Sequence, residues 1–128
     1  RSVLLVPAVG LVGWALGALC KEVVQRARPD EAVVAYGSWS FPSGHANNAA
    51  LGAVLLVTLL ALVRTAWIRW GATALVVVGA LLTAADRIVL GVHYVTDVTA
   101  GLALGALMAL VGLGVLRPDL RPPPATDA

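Results

Sequence analysis

The chain has 128 residues, of which 59% are hydrophobic and only 12% charged, with a formal net charge of +2. A soluble domain carries about 25% charged residues, so this composition excludes an ordinary water-soluble globule and points to lipid as the solvent. Nine cations spread over segment ends do not make a nucleic-acid patch, and the single Cys20 can form neither an intrachain disulfide nor a structural zinc site.

Residues 3–20, 32–63, 70–85 and 98–116 carry no charge at all. A spanning helix needs roughly 17–25 mostly apolar residues. The first and last runs fit directly. The second is too long for one span, and its Gly37, Pro42 and Gly44 mark a loop before a helix. The third reaches a spanning length if it extends past Arg87. The expected elements in chain order are therefore helices over 3–26, 45–63, 68–89 and 94–116, an all-α polytopic transmembrane bundle of about four spans. A Pro-rich tail, residues 117–128, is expected to be a disordered cytoplasmic extension. The chain starts at Arg1 without an initiator Met and enters an apolar run at once, so it reads as an excerpt from a longer protein. Gly13–Gly17 and Gly101–Gly105 have the small-xxx-small spacing that permits close helix approach, although glycine tolerated in a membrane span gives the same pattern.

Alternating the helices up and down puts Arg1, Arg64, Arg69, Arg117 and Arg121 on one face, which the positive-inside rule makes cytoplasmic. Three polar clusters then meet on the opposite face: Lys21 to Arg28-Pro29, Pro42-Ser43-Gly44-His45, and Arg87 to His93 to Asp97. Charge in or beside a bilayer costs about 2.5–3.5 kcal/mol at a helix centre, so its placement signals function. His93 and Asp97 are four apart and share a helix face, where the carboxylate can fix one imidazole tautomer. The plain alternative is a structural His–Asp pair. Ser43 suits an N-cap, the first-turn amides after Gly44 form an anion site, and His45 can donate a proton to a leaving oxygen. Lys21 and Arg28, seven apart, are expected on one helix face, with Pro29 stopping the helix. Lys supplies a point charge and Arg a fork for phosphate; snorkelling to the interface is the default alternative and the expectation for Arg26.

In this order, Lys-x6-Arg-Pro, Pro-Ser-Gly-His and Arg-x5-His-x3-Asp resemble the three-part signature of the type 2 phosphatidic acid phosphatase superfamily. The match covers residues 21–97. The resemblance implies a phosphohistidine mechanism without metal or other cofactor: His93 as nucleophile, Asp97 orienting it, His45 as general acid and then base. Lys21, Arg28, Ser43, Gly44 and Arg87 would hold the phosphoryl oxygens. Three cations and an amide nest can neutralise a transferring phosphoryl group, independently of the resemblance. Membrane members typically carry six spans with these motifs on the last four. The chain would then be the C-terminal part of such a fold or a short member. The family usually has Ser before the third-motif Arg; here Asp86 can either repel phosphate or pair with a cation.

The implied substrate is a lipid phosphate or diphosphate, such as an isoprenoid diphosphate, phosphatidate or phosphatidylglycerophosphate, met at the outer face of a bacterial inner membrane. Phosphotransfer to a lipid or sugar acceptor is the second enzymatic reading. A non-enzymatic bundle whose charges only anchor helices is the third.

Overall fold

The computed structural model describes residues 2–30, 32–34 and 37–116. Four helices follow one another: α1 (Ser2–Val24), α2 (Gly44–Leu60), α3 (Ala66–Val89) and α4 (Val95–Leu116), with no strand among the described residues. Their ends lie within three residues of the expected ones. The Pro-rich tail falls outside the described residues.

Helices α1, α3 and α4 are long and apolar enough to cross a membrane, whereas α2 has 17 residues and is shorter. It gives way to three-residue turns at its end. The amides of Leu62 and Val63 bond to Leu59 and Leu60, tightening the chain into a turn before α3. Large apolar side chains such as Leu11, Trp14, Leu75, Leu82 and Leu107 point outward, as expected of a bundle whose solvent is hydrocarbon.

Packing is closest between α2 and α4, with α3 leaning on α2, and α1 crossing both α4 and α2. Small residues make this possible. A Cβ at Gly101 would collide with the Ser43 carbonyl, and one at Gly105 with the Asn47 carbonyl. The Gly101–Gly105 pair is thus a true close-approach seam. The apolar core is correspondingly made of small side chains: Ala46, Ala84 and Val98, with Leu102 against them. The buried polar residues Ser40, Ser43, Asn47, His93 and Asp97 cluster at the end of the bundle where α2 and α4 begin. Alternation of the helices brings the ends of α1 and α3 there as well.

One expectation fails. Helix α1 ends at Val24, five residues before Pro29, because Gln25 adopts a left-handed φ of 48° and its amide bonds back to the Lys21 carbonyl. The next two carbonyls, of Arg26 and Ala27, are captured by the buried Ser40 hydroxyl at 3.1 and 3.0 Å. Lys21 and Arg28 therefore do not share a helical face. Lys21 is on the last turn, and Arg28 lies on the extended strap that follows.

Candidate active site

The strap between α1 and α2 is held by its own polar groups. The Ser40 amide donates to the Arg26 carbonyl at 2.9 Å, and Lys21 Nζ donates to the Trp39 carbonyl at 2.7 Å. Arg28 Nε donates to the Ser38 carbonyl at 2.9 Å, and its Nη1 to the Val92 carbonyl at 2.8 Å. Those bonds fix the guanidinium, rather than let it snorkel, and bring Nη1 to 3.3 Å from His93 Nε2.

At the start of α2, Ser43 is the N-cap, its oxygen accepting from the Ala46 amide. Its own amide donates to the Asp97 carbonyl at 2.9 Å, which ties the α2 entrance to the first turn of α4. Gly44 and His45 follow on the open side, His45 exposed.

The corner between α3 and α4 carries the second histidine. Gly91 takes φ 64°, a left-handed conformation that a side chain would strain, and the turn delivers His93 with its amide on the Arg87 carbonyl at 3.3 Å. Asp97, fully buried, stands three residues into α4. Its Oδ2 accepts from the Tyr94 amide at 3.0 Å, one half of a capping box, and lies 3.5 Å from His93 Nδ1. Its Oδ1 is bound by Arg26 Nη1 at 2.8 Å. With Nδ1 turned to a carboxylate and Nε2 to a guanidinium, the neutral ring carries its proton on Nδ1 and a lone pair on Nε2. Burial, then the charges of Arg28 and Lys21, push His93 down to about 4 against the opposing pull of Asp97. At neutral pH it is a free base.

A cavity of about 240 Å³ opens between these elements, lined by Trp14, Lys21, Arg28, Ser38, Gly44, His45, Asn48 and His93. Both imidazoles border one space with two cations and the first amides of a helix. A larger hollow of about 530 Å³ shares Arg28 and Ser38 with it. It holds neither histidine, so the smaller cavity is the candidate site. Five of the eight residues expected from sequence line that cavity: Lys21, Arg28, Gly44, His45 and His93. Ser43 and Asp97 stand behind them as supports. Arg87 is outside the lining, its side chain only 14% exposed and paired with Asp86. Of the two behaviours open to Asp86, it takes the second and turns to its neighbour's charge.

Sequence reasoning missed three contributors. Arg26 was expected to snorkel, but it binds the buried Asp97 carboxylate and stacks 4.0 Å above the Tyr94 ring. That contact spans 71 residues and leaves no local trace. Ser38 and Asn48 both line the cavity. Asn48 had a legible signal, since two adjacent amides in an otherwise apolar helix are costly, and position 48 falls one turn after His45.

A family model described as the PAP2 superfamily matches residues 2–119. The chain is 36% identical over 96 residues to phosphatidylglycerophosphatase B of Bacillus subtilis, covering 73% of this chain and 47% of that protein. It is 34% identical over 116 residues to decaprenylphosphoryl-5-phosphoribose phosphatase of Mycobacterium tuberculosis, covering 87% and 59% respectively. The crystal structure of a transmembrane PAP2-type phosphatidylglycerolphosphate phosphatase from Bacillus subtilis superposes with a TM-score of 0.81 at 34% identity. It covers 92% of this chain and 60% of that one. The chain thus spans about half the length of the curated relatives it matches.

Proposed function

Because the chain belongs to the PAP2 superfamily, we propose that it hydrolyses a lipid phosphate or diphosphate through a covalent phosphohistidine. The observation that carries this reading is the single cavity bordered by both histidines, Lys21, Arg28 and the Gly44 backbone. In it, His93 Nε2 attacks phosphorus and forms the P–N bond as the bond from phosphorus to the ester or anhydride oxygen breaks. His45 gives its proton to that departing oxygen. Water then loses a proton to His45 and attacks phosphorus, releasing inorganic phosphate and restoring His93.

Each support has a physical role. Asp97 accepts the Nδ1 proton's partial charge as the ring becomes phosphorylated and cationic. Lys21, Arg28 and the helix amides neutralise the equatorial oxygens, which is the main requirement of phosphoryl transfer. Ser43 holds the amide nest in shape, and Arg87 adds positive potential from behind His45. No step draws on a metal.

Relatives named as acting on phosphatidylglycerophosphate and on decaprenylphosphoryl-5-phosphoribose support a phosphorylated lipid as substrate. So does a site placed at the end of apolar helices, where a tail can stay in the bilayer while the headgroup enters. Arg64 and Arg69 at the opposite end favour an extracytoplasmic site in a bacterial inner membrane. The test is phosphate release from a panel of lipid phosphates and diphosphates in detergent with EDTA present. Release that persists in EDTA, falls with vanadate and yields an acid-labile phosphoenzyme supports the reading; strict dependence on a divalent metal overturns it.

A further inference from the structure

The residue that the phosphatase signature does not use, yet that the structure builds into the catalytic support, is Arg26. Its backbone is immobilised on both sides, by the left-handed Gln25 before it and by Ser40, whose amide and hydroxyl both bind its carbonyl. From that anchor its side chain crosses to the first turn of α4. There Nη1 donates to Asp97 Oδ1 at 2.8 Å and to Thr96 Oγ1 at 2.6 Å, while the guanidinium lies over the Tyr94 ring. The Asp97 carboxylate is fully buried, whereas the Arg26 side chain is 37% exposed. A buried carboxylate needs a partner, and one that faces a histidine needs a fixed orientation too.

We propose that Arg26 is a positioning residue for phosphohistidine formation, clamping the Asp97 carboxylate so that Oδ2 stays aimed at His93 Nδ1. With Oδ1 held by Arg26 and Oδ2 by the Tyr94 amide, the carboxylate plane cannot rotate. The ring facing Oδ2 is then held with Nε2 toward the cavity. Arg26 does not line that cavity, so it serves the attack without binding substrate. It also tempers the carboxylate. His93 is faced by Lys21 and Arg28 from the α1 side and by Asp97 from α4, whereas the Arg87–Asp86 pair of α3 acts on His45. Removing Arg26 takes away the direct partner of the Asp97 charge and favours the imidazolium.

The inference rests on the phosphohistidine reading above, so the experiment carries an arm for each. Steady-state kinetics of the intact protein in detergent compare wild type, His93→Ala, Arg26→Gln, Arg26→Lys, Asp97→Asn and the Arg26→Gln/Asp97→Asn double variant. Activity retained in His93→Ala sinks the reading itself. With His93→Ala inactive, Arg26→Gln is expected to lose roughly 10–100-fold in kcat, the usual range for groups acting through a neighbour, with KM little changed. The acid limb of its kcat/KM profile is expected to move up by roughly half to one pH unit relative to wild type on the same substrate. Arg26→Lys keeps the charge but not the planar stack on Tyr94, so it should fall between the two. In the Asp97→Asn background, Arg26→Gln should add little, because its effect runs through that carboxylate. An unshifted pH profile, a loss seen in KM instead of kcat, or full additivity with Asp97→Asn overturns the inference. Should Arg26→Gln not accumulate, Arg26→Lys alone decides it. A several-fold kcat loss at constant KM supports the role, and wild-type kinetics overturn it.

Discussion

The two ends of the bundle are held by different forces. Where α2 and α4 begin, the buried groups are Ser40, Ser43, Asn47, His93 and Asp97, and directional bonds from α1, the strap and α4 fix their geometry. Toward the far end of α4 the contacts described are apolar: Ala109 is buried, and a Cβ at Gly112 would meet the Val9 side chain. The lesson is that the chemical end is over-determined and intolerant of change. The other half needs only apolar volume.

Substitutions can break or sharpen that contrast. The largest effect is expected from His93→Ala, a loss on the order of 10⁴-fold or more in phosphate release with no trapped phosphoenzyme, since the proposed nucleophile is gone. His45→Ala should cost roughly 10²–10⁴-fold, the range of general acid–base help, and less for substrates with good leaving groups that need no protonation. Gly101→Ala pushes a methyl into the Ser43 carbonyl and should cost about 1–3 kcal/mol of stability, read as a lower unfolding midpoint in detergent. At the far end, Gly114→Ala meets nothing within 4 Å. It should leave activity unchanged and stability neutral or slightly raised. A destabilised Gly114→Ala would erase the distinction between the two ends.

A pH series sharpens it further. The folded pKa of His93, about 4, is depressed below its ordinary 6.5. The unfolded chain therefore binds a proton that the native protein refuses over that window. The stability associated with His93 is intact above about 6.5 and is lost as pH falls toward 4. Replacing His93 by Gln should flatten the pH dependence of the unfolding midpoint in that range. An unchanged slope would remove the desolvated histidine as its source.

Much of this was legible in the residues themselves. Charge-free runs located the four helices, because hydrocarbon leaves few alternatives, and alternation alone brought the three clusters to one end. His45, His93, Lys21, Arg28 and Gly44 follow from that geometry. What stayed hidden depends on tertiary capture. The break at Gln25 is stabilised by Ser40 taking carbonyls 13 and 14 residues upstream, whereas the visible breaker was Pro29. Arg26 carries the same charge as a snorkelling residue, and only the fold turns it inward. The retreat of Arg87 from the cavity wall is set by Asp86, whose choice between repulsion and pairing no spacing could decide.

The glycine seam of α4 has a geometric corollary. With the Ser43 and Asn47 carbonyls resting directly on Gly101 and Gly105, and the Ser43 amide bonded across to Asp97, the start of α2 and the first turns of α4 form one packed block. For the proposed reaction, this mounts His45 and His93 on one shared packing unit, so their separation is set by the helix seam and not by the strap.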